Sequence, residues 1–224
     1  MVSDRKRLGL IVPSSNSVME VDFYRNLPPE ITLHVARMYL YDTTVEGESQ
    51  MLDLHFPKAL TDIATVLPHA TVFGCTSAGA LRGNEYDAEI CGNIEKVADC
   101  KSVSVIASAR AALERLNLKR IGVCTPYVEE LNRRIKASFE ADGVRVEFIT
   151  GLGIDHNFSL AMVEPPDIER FVLDSIKGYN VEGLFISCTN FRAMEVYAGL
   201  EEKLGIPVLT SNRVALAAAL EALK

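Results

Sequence analysis

A set of short markers that occurs twice, with a constant spacing of 113 residues, constrains the fold of this chain most strongly. Each copy contains a glycine, a proline, and a cysteine followed by threonine, in the same order. The pairs are Gly9 and Gly122, Pro13 and Pro126, Cys75 and Cys188, and Thr76 and Thr189. Ile31 and Val144 open two further similar segments at the same spacing. The constant spacing predicts a duplicated unit with little insertion or deletion between its copies.

Short apolar runs alternate with helical patterns along both copies. Strands are predicted at 8–12, 31–38, 71–75, 102–106, 121–124, 144–149, 183–187 and 207–210. Helices are predicted near 48–67, 85–97, 108–116, 127–141, 166–177, 191–204 and 212–223. This alternation indicates parallel sheets joined by right-handed crossovers. We therefore predict an α/β fold of two similar halves, each a parallel four-stranded open sheet flanked by helices, related by pseudo-two-fold symmetry.

The halves are expected to comprise residues 1–98 plus 210–224, and residues 99–209. Open parallel sheets bind ligands at the carboxyl ends of their strands, where loops and helix N-termini present N–H groups. Cys75 and Cys188 each directly follow a predicted apolar strand. We therefore expect both cysteines to meet in an active-site cleft between the halves.

Composition and charge exclude several classes of protein. The chain has 224 residues, of which 48% are hydrophobic and 24% charged, as in ordinary globular proteins. The net charge of −7 argues against a nucleic-acid partner, because such binding needs clustered lysine and arginine. The first apolar run is too short for a signal peptide or a membrane span, which predicts a soluble, cytoplasmic protein without a membrane partner.

The number and spacing of the cysteines point away from structural disulfides and from metal. There are five cysteines, an odd number, and no two of them form a CxxC pair. A disulfide framework and a zinc site are therefore not expected, and neither is a cofactor, since no nucleotide-binding loop is present.

The two Cys-Thr motifs are the strongest candidates for chemistry. They read Gly-Cys-Thr-Ser at 74–77 and Ser-Cys-Thr-Asn at 187–190. A cysteine at a helix N-terminus has a lowered pKa, because the helix dipole stabilises its thiolate. Two thiols on opposite faces of a substrate carbon can exchange protons, or divide the roles of nucleophile and acid. Isolated cysteines after strands are usually buried core residues, but two at equivalent positions favour catalysis by Cys75 and Cys188.

Polar residues at the ends of the first strand of each copy are candidates for binding an anion. Ser14, Ser15 and Asn16 follow the first strand, and their side chains and backbone N–H groups could bind a carboxylate. A turn with a helix N-cap is an equally good interpretation of this segment. Tyr127 lies at the equivalent place in the second copy.

These motifs together resemble the maleate cis-trans isomerases of the Asp/Glu racemase superfamily, which has arylmalonate decarboxylases as near relatives. The resemblance extends from residue 8 to about residue 217 and includes an asparagine at Asn157. It implies Cys75 as nucleophile and Cys188 as general acid in a cofactor-free isomerisation of maleate to fumarate. It implies a small carboxylate substrate and a homo-oligomer, either a dimer or a tetramer. It implies that Asn16, Tyr127 and Asn157 hold the substrate carboxylates, helped by backbone N–H groups after each cysteine. Further candidates for substrate binding are Ser14, Ser15, Thr76, Ser77, Thr189 and Asn190.

Three other functions remain open at this point. The same cysteine pair could racemise an amino acid or a hydantoin by removing and returning a proton. A decarboxylase of the arylmalonate type would use Cys188, but those enzymes have glycine at the first cysteine position, so Cys75 argues against it. A two-domain α/β protein could also bind a ligand without reacting, although the paired Cys-Thr motifs weigh against this.

Overall fold

The computed structural model of the chain describes residues 5–224 and contains two four-stranded sheets whose strands all run parallel. The first sheet consists of β1 (Lys6–Pro13), β2 (Ile31–Met38), β3 (Ala70–Phe73) and β4 (Lys101–Ser104). The second consists of β5 (Arg120–Thr125), β6 (Arg145–Gly151), β7 (Gly183–Ile186) and β8 (Val208–Thr210).

The two sheets share one topology. Their strand orders are β2-β1-β3-β4 and β6-β5-β7-β8, so corresponding strands occupy corresponding places. Strands β3 and β7 are related residue by residue through the 113-residue spacing seen in the sequence. The predicted α/β fold of two similar four-stranded parallel halves is therefore confirmed.

Helices cover both sheets. In the first half they are α1 (Met19–Asn26), α2 (Val45–Gln50), α3 (Phe56–Ala64), α4 (Thr76–Leu81), α5 (Asn84–Ala98) and α6 (Val105–Arg115). The remaining helices are α7 (Glu129–Glu140), α8 (Asn157–Leu160), α9 (Pro165–Ser175), α10 (Tyr197–Leu204) and α11 (Ser211–Ala222). Within residues 5–224, no helix is long and apolar enough to cross a membrane.

Two of the predicted helices are interrupted. The helix expected at 48–67 is divided by a π-helical segment at Met51–His55 between α2 and α3. The helix expected at 191–204 begins only at α10, after a single 3-10 turn at Ala193–Glu195.

The position of β4 differs from two predictions, the strand at 102–106 and the boundary between the halves at residue 98. The Ser104 hydroxyl accepts a hydrogen bond from the Ala107 N–H, which caps α6 and ends β4 at Ser104 instead of at residue 106. Strand β4 pairs with β3 in the first sheet. A boundary at residue 98 would separate β4 from its own sheet, so the first half extends at least through Ser104.

The C-terminal helix, α11, packs against the first sheet although it follows the last strand of the second sheet. Helix α11 packs against α6, β3 and β4. Its residues Ala215, Leu216 and Ala219 join a buried cluster that contains Leu8 and Leu10 of β1. A second and larger cluster runs from the first half into the second. The two halves therefore share a continuous apolar core beneath the strand ends.

The repeated glycine in β5 leaves room for an aromatic ring. A Cβ atom at Gly122 would lie 2.3 and 2.4 Å from two ring atoms of Phe148. We expect Gly122→Ala to lower the free energy of unfolding by about 1–3 kcal/mol, because the ring is packed and has no space to move. Gly92, on the exposed face of α5, has no neighbouring atom at this position, so Gly92→Ala should raise stability by up to about 1 kcal/mol. Urea unfolding of both variants measures the difference, and equal effects would contradict this packing argument.

Candidate active site

The two cysteines follow equivalent strands but have different backbone conformations. Cys75 is extended, with φ of −140°, and directly precedes helix α4. Cys188 has φ of +95°, in the region that favours glycine. No α-helix begins after Cys188, because the chain passes through residues 189–192 to the 3-10 turn. A helix therefore begins directly after Cys75 but not after Cys188.

Direct hydrogen bonds join the two cysteine loops. The Thr189 hydroxyl donates to the Gly74 carbonyl oxygen at 3.0 Å. The Ser211 hydroxyl accepts from the Thr76 hydroxyl at 2.8 Å and from the Cys188 N–H at 3.0 Å. Both cysteines are buried, with 5% and 4% of their surfaces exposed. The structure thus brings the two Cys-Thr motifs side by side in one enclosed site.

Burial raises the pKa of both thiols. Desolvation raises the pKa of Cys75 well above its usual value, and the nearby Glu48 carboxylate raises it further. Desolvation also raises the pKa of Cys188 to about 12, although the nearby Tyr127 hydroxyl and a hydrogen bond from the Asn190 N–H, 3.2 Å from Sγ, act in the opposite direction. The lowered pKa expected from the helix dipole is therefore wrong here, because burial outweighs it.

Tyr127 lies inside the site. Its side chain is 2% exposed, and its hydroxyl group lies close enough to Cys188 to lower the pKa of that thiol. Burial raises the pKa of Tyr127 well above 10, with smaller contributions from Cys188 and Cys75. This hydroxyl is therefore a neutral donor next to the second thiol.

Ser77 and Glu48 form a buried pair beside Cys75. The Ser77 hydroxyl lies 3.9 Å from Cys75 Sγ and donates a hydrogen bond to Glu48 Oε1. Glu48 is fully buried, and burial raises its pKa to about 8. Its second oxygen, Oε2, has no hydrogen-bond partner among the described residues 5–224.

The segment after β1 is held in place by the protein itself. Asn16 Oδ1 accepts from the N–H groups of Val18 and Met19 at the start of α1, and Asn16 Nδ2 donates to the Thr189 hydroxyl at 3.0 Å. The Ser14 hydroxyl accepts from the Leu40 N–H at 3.1 Å, and the Ser15 hydroxyl donates to the Leu40 carbonyl oxygen at 2.9 Å. The Asn16 amide therefore connects the start of α1 with the second Cys-Thr motif.

Asn157 connects loops from the two halves. Its Nδ2 donates to the Ser15 hydroxyl at 2.6 Å, and its Oδ1 accepts from the Thr43 hydroxyl at 3.0 Å. The Asn190 amide in turn donates to the Asn157 carbonyl oxygen at 2.7 Å. Backbone hydrogen bonds between residues 41–43 and 155–157 join the same two loops. Asn157 thus lies where the loop after β2 meets the loop after β6.

Sequence reasoning missed three residues of this site: Glu48, Ser211 and Thr43. Ser211 and Thr43 are small polar residues in loops or at a helix start, and their sequence context gives no signal. Glu48 does have a signal, because it precedes Met51, Leu52 and Phe56 at helical spacing and so lies on the apolar face. Among residues 5–224, no three His, Cys, Asp or Glu side chains are arranged as a metal site.

Comparison with known proteins agrees with this geometry. A family model described as arylmalonate decarboxylase matches residues 8–224. Curated relatives include the maleate isomerase of Alcaligenes faecalis, 23% identical over 222 residues, with 92% of this chain and 86% of the relative covered. The maleate isomerase of Nocardia farcinica is 26% identical over 216 residues, with 92% and 85% covered.

Solved structures have the same fold. A Cys-to-Ser variant of Nocardia farcinica maleate cis-trans isomerase, which carries a covalently bound succinylcysteine intermediate, superposes with a TM-score of 0.88 at 21% identity. The superposition covers 97% of this chain and 92% of that structure. The resemblance seen in the sequence motifs is thereby confirmed. Because the family match extends over nearly the whole chain, this protein belongs to the arylmalonate decarboxylase family.

Proposed function

We propose that this protein is a cofactor-independent isomerase that converts a small cis-dicarboxylate of the maleate type into its trans isomer. The observation that carries the proposal is the pair of buried cysteines, which occupy equivalent positions in two similar halves but differ in their surroundings. Cys75 adjoins Ser77 and Glu48, whereas Cys188 adjoins Tyr127 and the Asn190 N–H. Unequal surroundings suit unequal roles, with Cys75 as nucleophile and Cys188 as acid.

Once Cys75 has released its proton to solvent, the reaction needs only the two sulfur atoms. The Cys75 thiolate bonds to one alkene carbon, and the π electrons move to the neighbouring carbon, where the adjoining carboxylate delocalises them. The Cys188 thiol then donates its proton to that neighbouring carbon. The former double bond is now single and rotates. Cys188 takes the proton back, the carbon–sulfur bond breaks, and the trans isomer leaves with no net change in either cysteine.

Neutral donors would hold the two substrate carboxylates. The proposed set is Ser14, Ser15, Asn16, Thr76, Ser77, Tyr127, Asn157, Thr189 and Asn190. Many of these groups form hydrogen bonds with one another, for example Asn16 with Thr189 and Asn157 with Ser15. Substrate oxygens would replace some of those bonds, so that each desolvated donor keeps a partner. The contact between the loops at Thr43 and Asn157 would exclude water from the covalent intermediate.

Incubation with maleate in deuterated water, followed by proton NMR, tests the proposed reaction. We expect the fumarate signal to appear, and to appear without added metal or cofactor after chelation and dialysis. Amino acids, hydantoins and arylmalonates are tested in parallel. Exchange of an α-proton for deuterium, with no fumarate formed, would identify a racemase. Loss of one carboxyl group from an arylmalonate would identify a decarboxylase.

We further propose that the enzyme works in the cytoplasm as a homo-oligomer. All five cysteines lack a disulfide partner, and a reaction at two thiols requires a reducing compartment. Light scattering coupled to gel filtration measures whether the protein is a dimer, a tetramer or a monomer.

A further inference from the structure

The buried carboxyl group of Glu48 lies in the candidate site, and no cation among residues 5–224 pairs with it. Arg82 and Arg192, the arginines that follow the two cysteine loops, pair instead with Asp53 and with Glu164 and Glu195. Within residues 5–224, the only side-chain hydrogen bond to Glu48 comes from Ser77. A fully buried carboxylate with no charged partner is costly, so the group is expected to hold its proton.

The other groups around Glu48 favour the same protonation state. Helix α4, which packs against α2, has no ionisable side chain. Across the site, Glu48 acts electrostatically on Cys75, Cys188 and Tyr127, none of which carries a positive charge.

The charged neighbours along the chain do not neutralise it either. In the π-helical segment after α2, Asp53 pairs with Arg82, and His55 packs against the Tyr39 ring. On α2 itself, Glu46 is exposed. No described cation therefore competes for the Glu48 carboxyl.

The hydrogen bond from Ser77 determines which oxygen carries the proton. Glu48 Oε1 accepts from the Ser77 hydroxyl, so the proton of a neutral carboxyl belongs on Oε2. Oε2 is buried, and no group within residues 5–224 forms a hydrogen bond with it. An unsatisfied buried donor beside two reactive thiols is complementary to an anionic oxygen of a ligand.

We propose that Glu48 is a substrate-binding residue that remains a neutral acid and donates a hydrogen bond from Oε2 to a carboxylate oxygen of the bound dicarboxylate. This inference rests on the proposed function, because it requires a carboxylate ligand in this site. A neutral Glu48 also removes the negative charge that opposes thiolate formation at Cys75. The residue would thus contribute both to selecting a dianion and to activating the nucleophile.

The affinity for the ligand should therefore decrease as the pH rises above the pKa of Glu48. Since burial raises the pKa of Glu48 to about 8, the donor is present below that pH and is lost as the pH rises through it. The dissociation constant for the ligand should therefore be constant at lower pH and rise about tenfold per pH unit above it. Each ligand bound above this pH should be accompanied by the uptake of close to one proton.

Maleate binding to a Cys75→Ser parent, measured by isothermal titration calorimetry from about pH 7 to about pH 10, tests the inference. The parent cannot form the covalent adduct and lacks the Cys75 thiol, which could otherwise titrate. Two buffers with different ionisation enthalpies report the protons taken up. We expect Glu48→Gln in this parent to match its affinity near neutral pH, because glutamine is a neutral donor of the same size, and to abolish both the pH dependence and the proton uptake.

Two further variants complete the design. Glu48→Ala removes the donor and should weaken binding by about ten- to a hundredfold near neutral pH. Glu46→Gln, on the exposed face of the same helix, should leave the affinity and its pH dependence unchanged. The proton uptake of the parent needs no substitution at position 48, so it tests the proposal even if a Glu48 variant does not fold.

The outcomes separate this inference from the proposed function. Maleate affinity that is independent of pH in the parent, or that declines with pH equally in the Glu48→Gln variant, overturns the role of Glu48 and leaves the isomerase proposal intact. Binding coupled to proton uptake, with no fumarate formed by the wild-type protein, rejects the isomerase and retains Glu48 as a carboxylate donor. Absence of maleate binding in the parent overturns both.

Discussion

Replacing Cys75 by serine is expected to abolish turnover of maleate and any covalent adduct, whereas replacing Cys188 by serine should abolish turnover but allow an adduct to accumulate. Serine has nearly the same size as cysteine but is a far weaker nucleophile and acid near neutral pH. Without the Cys75 thiolate no bond to carbon forms. Without the Cys188 thiol the bond at Cys75 still forms, and the new carbanion takes its proton from water. The adduct then lacks the Cys188 thiolate that would remove this proton again, so it accumulates.

Intact-protein mass spectrometry after incubation with maleate measures this difference. The Cys188→Ser variant should gain the mass of one substrate molecule. Digestion with trypsin then locates the adduct, because each of the five cysteines lies in a tryptic peptide of its own, with Cys75 in 59–82 and Cys188 in 178–192. Cys91→Ser, a half-buried cysteine in α5, serves as a control and should behave as wild type. An adduct on the Cys188 peptide of the Cys75→Ser variant would show that Cys188 is the nucleophile and would contradict the proposed roles.

Replacing Tyr127 by phenylalanine is expected to lower kcat/KM for maleate by about a hundredfold or more, since loss of one preorganised donor in a buried site typically has an effect of this size. The hydroxyl group lowers the pKa of Cys188, so its removal makes the thiol a weaker acid and leaves the thiolate that forms in the reaction without a donor. The ring remains, so the packing of this buried side chain is retained.

Steady-state kinetics of Tyr127→Phe and Tyr179→Phe test this expectation. Tyr179 is about half exposed, stacks on Phe148 and lies outside the site, so its variant should have wild-type kinetics. If both variants retain full activity, Tyr127 only fills space in the site. If only KM changes in Tyr127→Phe, the hydroxyl binds substrate without assisting proton transfer by Cys188.

The sequence was sufficient to predict the strands, their parallel direction and the duplication. Buried strands require apolar runs, and the spacing of these runs is the same in the two copies. It was less informative where one polar side chain ends an element. The Ser104 hydroxyl ends β4 and starts α6 within an otherwise strand-like run. Helix α4 was missed because its residues Thr76–Leu81 are small and buried on all sides, so they have no amphipathic pattern.

The site was predictable only in part, for a related reason. Cys75 and Cys188 could be found because the repeat aligns them with strand ends, and Asn157 was suggested only by the resemblance to a family. The direction of the cysteine pKa shifts was predicted wrongly because the helix dipole is visible in a sequence, whereas full burial by the opposite half is not. Glu48 required the three-dimensional arrangement, although its place on the apolar face of its helix was a usable signal.

The left-handed backbone at Cys188 creates a conflict between thermal stability and catalysis. Holding a residue with a Cβ atom at φ of +95° costs about 1–3 kcal/mol, a penalty that glycine would not incur. Glycine at this position would relieve that backbone cost, but it would also remove the buried thiol and its contacts. Selection for heat resistance alone gives no protection to the thiol, so a directed-evolution campaign must include turnover at every round to retain it.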